Sequence, residues 1–195
     1  MGQWLSAYVR ELTQALENMT VTGLNGEEIN REDGIVHFTE NAKRIQDAKG
    51  ILFFAGNGAS ASMAEHMSHD FFQNGGFLTM TSSETAHITA IANDLSFENI
   101  FAYKIEKALS EKDALITISS SGNSPNVVKA IQVAREKGMF IITLSGMKPN
   151  NQSRNMGDLN YYIPANTYGM VEAAHAVLLH CLLDSFLERY MGGSH

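Results

Sequence analysis

Cysteine is almost missing from this chain: its 195 residues contain one, Cys181. A single thiol excludes an intrachain disulfide framework and any metal site built from several cysteines. It suits a reducing compartment, here expected to be the cytoplasm, and reads as a small buried apolar residue. Basic charge is scarce too, with 14 Lys and Arg against 21 Asp and Glu and a formal net charge of −7. A chain of this sign has no overall field with which to hold nucleic acid or an anionic membrane surface. Internal repeats, low-complexity tracts and linkers are absent, so 1–195 is expected to form a single domain. A signal or membrane-spanning segment is not recognisable at the N-terminus, where MGQWLSAYVRELTQALENM is amphipathic and charged. Gly2 and Ser6 fit the loose myristoylation pattern, and a plain first helix is the competing reading. Residues 192–195 read as a flexible tail.

What is present is an ordinary core-forming composition, 44% hydrophobic and 18% charged. The apolar periodicity predicts amphipathic helices over 3–19 and 31–48, separated by a polar break at 23–26. The period then changes. GILFFAG (50–56) is a short apolar run ending in glycine, the mark of a buried strand. A helix is expected from about residue 60 to 72, then a strand at FLTMT (77–81). Helical stretches over 84–92 and 98–110 are divided by a turn at Asn93 and Asp94. ALITISS (114–120), MFIITLSG (139–146) and LNYYIP (159–164) are three more strands. Helices over 125–138 and 168–191 and a polar loop over 147–158 complete the chain. This alternation predicts an α/β fold: a flavodoxin-like five-stranded parallel sheet flanked by helices. Residues 1–48 add N-terminal helices to an α/β core over 49–191. These first helices have no strand of their own, so their apolar faces must rest on the core or on another subunit.

Ligands of such sheets bind beyond the carboxyl ends of the strands. The first strand ends in Ala55-Gly56-Asn57-Gly58-Ala59-Ser60. Glycines let backbone come close to a ligand, and the following helix presents free N–H groups. A tight strand-to-helix turn would also use Gly and Asn. The third strand ends in Ser119-Ser120-Ser121-Gly122-Asn123-Ser124-Pro125-Asn126, with a proline suited to the first helical position. Hydroxyl and amide donors without any lysine or arginine suit a phosphate monoester held by hydrogen bonds and helix dipole. The dinucleotide fingerprint is absent, because the turn at Gly56–Gly58 lacks the third glycine at its required offset. No nucleotide cofactor is expected.

Titratable groups gather on two helices. His66 and Asp70 are four residues apart and share a face, as do Glu65 and His69. The closing helix carries Glu172, His175 and His180 in an otherwise apolar stretch. Ionisable groups in such a setting are paired or functional, which points to an acid/base or metal cluster. Glu172 and His180 are roughly 12 Å apart along a straight helix. Two such groups could hardly meet on one ion, so either only one serves a given site or two chains share each site. His87, at the end of the second strand, is a candidate for the cleft.

GNGASASMAEHMSHDFF, TAIANDLSFENIF and ISSSGNSPNVVKAIQVAREKGMFIITLSG, in this order, resemble a SIS (sugar isomerase) domain of the phosphoheptose isomerase type. The resemblance covers nearly the whole chain. It implies interconversion of sedoheptulose 7-phosphate and D-glycero-D-manno-heptose 7-phosphate, toward nucleotide-activated heptose for surface glycans. It implies a homotetramer with active sites at subunit interfaces. The family's phosphate-binding serines map to Ser60, Ser119, Ser121 and Ser124, with Ser120 at the usual threonine. Asn57 and Gly58, and Asp94 with Asn93 beside it, match polar positions near the sugar. The site histidine maps to His66 and the catalytic acid to His180. Some members bind zinc through these groups, so one zinc ion per site is an implied cofactor, with His66, Asp70, Glu172 and His180 as its ligands.

The departures from the family pattern lie at the reacting end. Its catalytic glutamate falls at Asp70, its site glutamine at Glu172, and the glycine after Gly58 is Ala59. An aldose–ketose isomerase needs a base near the carbon, a partner acid and a group that polarises the carbonyl. Asp70 is the expected base with Glu172 the alternative, His180 the acid, and His66 or a metal beside it the enediolate stabiliser. Two other readings compete: a non-catalytic SIS adaptor or sensor that binds a sugar phosphate or a replication initiator, and a SIS enzyme for another sugar phosphate. An adaptor should have lost the titratable cluster.

Overall fold

The computed structural model describes residues 3–193. Gly2 of the myristoylation pattern, and Ser194 and His195 of the expected tail, lie outside the described residues. Helix α1 (Trp4–Glu17) is followed by β1 (Thr20–Gly23), β2 (Glu28–Ile29) and α2 (Arg31–Asp47). The core then runs β3 (Ile51–Gly56), α3 (Ala59–Gln73), β4 (Leu78–Met80), α4 (Thr85–Asp94), α5 (Ala102–Ala108), β5 (Ala114–Ser119) and α6 (Pro125–Glu136). It closes with β6 (Phe140–Gly146), β7 (Leu159–Ile163) and α7 (Tyr168–Met191).

The sheet has the order β2-β1-β7-β6-β5-β3-β4. Strands β3 to β7 are parallel neighbours. Their order, β4-β3-β5-β6-β7, is that of a flavodoxin-like sheet, as the alternation of strands and helices leads one to expect. Continuous apolar runs make these strands because both faces are covered. Phe54, Ile116 and Leu144 meet α2, α3 and α7 through Phe38, Phe71 and Leu182. Phe53, Leu115 and Ile141 meet α5 and α6 through Ile105 and Ile131.

Two strands exceed the expected five. β1 and β2 form an antiparallel hairpin, and β1 adds to the edge of β7 from Thr20 opposite Tyr162 to Gly23 opposite Leu159. The segment is short and lies where the sequence reads as a helix end and a polar break. Its pairing partner is far along the chain, so local periodicity carries no sign of it. Buried Asn160 secures the junction, donating to Thr22 O and Gly23 O. The turn expected at Asn93 and Asp94 is also displaced. Both residues complete the last turn of α4, and the break falls at Leu95.

The two N-terminal helices are buried to different extents. α2 buries Phe38, Ala42 and Ile45 on the sheet. α1 buries only Ala15, and Trp4 and Leu5 remain 81% and 75% exposed. Among the described residues α7 is the helix long and apolar enough to cross a membrane. Here its Leu178, Leu179, Leu182, Leu183 and Phe186 are core residues against the sheet.

Candidate active site

β3 and β5 are neighbours, yet α3 leaves to one face of the sheet and α6 to the other. That switch point opens a cleft between their carboxyl ends. A pocket of about 320 Å³ lies there. One wall is the turn after β3, Asn57 to Ser60, and the other is Ser119, Ser120, Ser121 and Ser124 after β5. Tyr168 and Glu172 from the start of α7 complete it, and no lysine or arginine lines it. Gly58 has φ of +56°, a conformation that a side chain would strain.

The helices differ in how their first turns are capped. α2 and α7 are capped by Asn30 and Thr167, whose side chains accept from Glu32 N and Met170 N. α3 and α6 begin at Gly58 and Ser124 without a side-chain cap bond. Both starts lie at the pocket, with the positive end of each helix dipole toward it. The Ser119 and Ser124 hydroxyls lie 3.5 Å apart, and the buried Ser120 hydroxyl has no partner. Ser121 Oγ accepts from Asn123 N. The serine walls are a cradle of neutral donors that suits an anion, with the Glu172 carboxylate as the one charged group at its edge.

The loop after β6 supports the serine wall. Ser153 N donates to Gly122 O, and Gln152 N to Asn123 Oδ1. Asn151 is buried against Gly122 and donates to Gly146 O and Lys148 O while accepting from Arg154 N. Gly122 has φ of +62° and leaves no room for a Cβ beside Asn151.

The titratable groups meet farther along α3. His66 Nε2 is 3.3 Å from Asp70 Oδ2, and His180 Nδ1 of α7 is 3.9 Å from the same oxygen. The two imidazole rings are 5.5 Å apart. His66, Asp70 and His180 form a group whose ligand atoms lie within 4.8 Å of one another, close enough to hold a metal ion. Two imidazoles and a carboxylate also suit zinc chemically. Glu172 is not in this group. It lies two helical turns earlier and faces the serines, so the axial spacing of the closing helix keeps its two ends apart within one chain.

Several expectations need correction. Asn93 and Asp94 are exposed at the end of α4, where Asn93 donates to Asp94, and neither lines the pocket. His87 is held away from the cleft, with Nε2 2.8 Å from Ile100 O. Cys181 is exposed, because the face of α7 that follows His180 turns from the core toward α1 and α2. His175 is the buried histidine of α7. It is fully covered, its Nε2 lies 3.2 Å from Ser145 O, and its Nδ1 has no partner. Burial pushes its pKa down to about 4, against a smaller opposing pull from that carbonyl. Tyr168, Asn126 and Asn151 were not singled out as site residues. Only the place of Tyr168, at the head of the closing helix, could have suggested it.

Fold and cleft together define a doubly wound α/β protein with an anion cradle at its switch point and an acid/base cluster beside it. The model of the SIS domain matches residues 7–146. The phosphoheptose isomerase of Trichlorobacter lovleyi is 38% identical over 139 residues, covering 68% of this chain and 70% of that one. The phosphoheptose isomerase of Escherichia fergusonii is 32% identical and covers 79% and 85%. The structure of phosphoheptose isomerase from Neisseria gonorrhoeae superposes with a TM-score of 0.80, covering 94% of this chain and 95% of that one at 24% identity. The chain belongs to the phosphoheptose isomerase family of SIS-domain proteins.

Proposed function

We propose that this protein is an aldose–ketose isomerase that converts sedoheptulose 7-phosphate to D-glycero-D-manno-heptose 7-phosphate through an enediol, toward nucleotide-activated heptose for surface glycans. The observation that carries the reading is the placement of both functions on α3. The helix starts in the serine cradle and brings His66 and Asp70 to His180 along its length. The relatives named phosphoheptose isomerase support the substrate.

Ser60, Ser119, Ser120, Ser121 and Ser124, with the Gly58 backbone, hold the phosphate. Asn57 stands at the edge of that cradle, and Glu172 faces it. Asp70 removes a proton from C1 of the ketose. The electron pair becomes the C1–C2 double bond, and the C2 oxygen takes a proton from His180. His180 then recovers a proton from the C1 hydroxyl as the aldehyde forms, and Asp70 returns its proton to C2. His66, 3.3 Å from Asp70, orients that carboxylate. Glu172 is the alternative base if a neighbouring chain brings it to the carbon. His66, Asp70 and His180 would hold a zinc ion, which would supply positive charge beside the reacting carbonyl; Asp70 and His180 would then be its ligands and not the proton-transfer pair, leaving the base to Glu172.

The functional unit is a homotetramer in the cytoplasm with sites shared between subunits. Two features support assembly. The exposed Trp4 and Leu5 of α1 leave an apolar face unpartnered. At the other end of α1 a groove of about 370 Å³ has an apolar floor of Leu16, Ile35, Val177 and Cys181 with Glu17, Arg31 and Glu32 around it. Light scattering should report a tetramer, and a monomer would remove the shared-site part of the reading.

The central test is proton exchange at C1 and C2 of sedoheptulose 7-phosphate, followed by NMR in deuterated water. Exchange is expected. Its absence with every ketose phosphate tried would overturn the isomerase and leave a sugar-phosphate sensor.

A further inference from the structure

Two side-chain amides face each other at the seam of the cradle. Asn57 Nδ2 donates to Asn126 Oδ1 at 2.9 Å, and Asn126 Nδ2 donates to Asn57 Oδ1 at 2.8 Å. Val127 N also donates to Asn126 Oδ1, at 3.0 Å. That third bond settles which way the Asn126 amide points, since its oxygen must face the backbone N–H. Its nitrogen is then committed to Asn57. Asn126 is 1% exposed, so its polar atoms have no water to fall back on.

The place of this pair matters more than its strength. β3 and β5 are in register up to Gly56 opposite Ile118. Beyond that point the ladder ends and the chains part, α3 to one face and α6 to the other. The sheet no longer sets the distance between the turn at Asn57 and the serine wall. The amide pair spans that gap and joins residues 69 apart in the chain. It uses one hydrogen of Asn57 Nδ2 and leaves the second for the pocket that Asn57 lines.

We infer that Asn126 is a positioning residue for the phosphate cradle: it clasps Asn57 and so fixes the spacing and aim of the two walls that close on the anion. It acts through Asn57 and does not itself touch the ligand. The inference rests on the proposed phosphate site.

The test is a double-mutant cycle on the full chain, read by calorimetric titration with inorganic phosphate and by turnover of sedoheptulose 7-phosphate. Asn57→Ala and Asn126→Ala should each weaken phosphate by about tenfold, the scale of one net hydrogen bond. Each should raise KM by the same factor, with kcat lowered far less. The double variant should be no worse than Asn57→Ala, because Asn126 acts only through Asn57. Effects that multiply to about 100-fold would overturn the inference, since Asn57 would then act on the ligand independently of Asn126. Intact phosphate affinity in Asn126→Ala would overturn it as well. Should that variant fail to fold, Asn126→Ser takes its place in the cycle. Its hydroxyl is too short to reach Asn57 but can still satisfy the helix start. Ser124→Ala serves as the reference. If it leaves phosphate binding unchanged, or the wild-type protein binds none, the phosphate site itself is wrong. If Ser124→Ala weakens binding and Asn126→Ala does not, only the clasp is wrong.

Discussion

The two ends of the cleft are built in opposite ways. The cradle end has neutral walls braced from behind, with Glu172 facing them: Ser60, Ser119 and Ser120 are covered, Asn126 clasps Asn57, and Asn151 backs Gly122. The reacting end is charged and open. His66 and His180 are exposed and Asp70 is half-buried. One of the contacts that joins them, at 3.9 Å, is an ion-pair distance longer than a hydrogen bond. The difference teaches which half is finished within one chain. A cradle that works through oriented N–H and O–H groups must be rigid before the ligand arrives. A proton-transfer cluster can tighten when substrate, a metal ion or a neighbouring subunit closes over it.

The comparison breaks most visibly at the reacting end. Asp70→Asn and His180→Gln should each lower turnover by about 10²-fold or more, as expected for loss of a proton-transfer group. Calorimetric affinity for inorganic phosphate should stay within about twofold, because neither side chain lines the cradle. Near-normal turnover in either variant would reassign that residue.

A second prediction concerns His175, on the same helix between the two ends. Its folded pKa of about 4 lies below the unfolded value of 6.5. As pH falls, the unfolded chain takes up the proton first. The stability tied to neutral His175 is therefore complete above pH 6.5 and is lost progressively toward pH 4. The full loss is on the order of 3 kcal/mol. Urea unfolding across this range should show it, and His175→Leu should flatten the slope. An equal slope in both proteins would show that other groups govern the acid limb.

The smallest effect is expected at the brace. Gly122→Ala forces a Cβ toward Asn151 at a positive φ, at a cost of about 1–2 kcal/mol. Phosphate affinity should fall by about tenfold, while proton exchange at saturating sugar phosphate should remain. Unchanged affinity would mean that the loop after β6 does not set the geometry of the serine wall.

How much of this was legible depends on distance along the chain. GILFFAG and ALITISS announce β3 and β5 because a strand covered on both faces must be apolar throughout. His66 and Asp70 were legible as a pair because helical spacing makes them neighbours. The eight-residue offset from Glu172 to His180 was enough to show that the two could hardly meet on one ion within one chain. The hairpin of β1 and β2 was not legible, since TVTG is too short for a period and takes its partner from β7. Nor was the buried state of His175 against the exposed Cys181, which depends on how α7 rotates over the sheet.

The acidic sequence by itself determined the order of the parallel strands and helices from β3 onward, the serine-rich loop without a basic residue, and the helical pairing of His66 with Asp70. Each follows from forces between residues close in the chain: periodic burial, turn chemistry and helical rise. The tertiary structure alone decided that His180 joins Asp70, that Asn126 clasps Asn57, and that Asn93 and Asp94 stay outside the pocket. Those outcomes depend on how separate elements pack. That packing follows from burial summed over the whole core, which no local stretch of sequence contains.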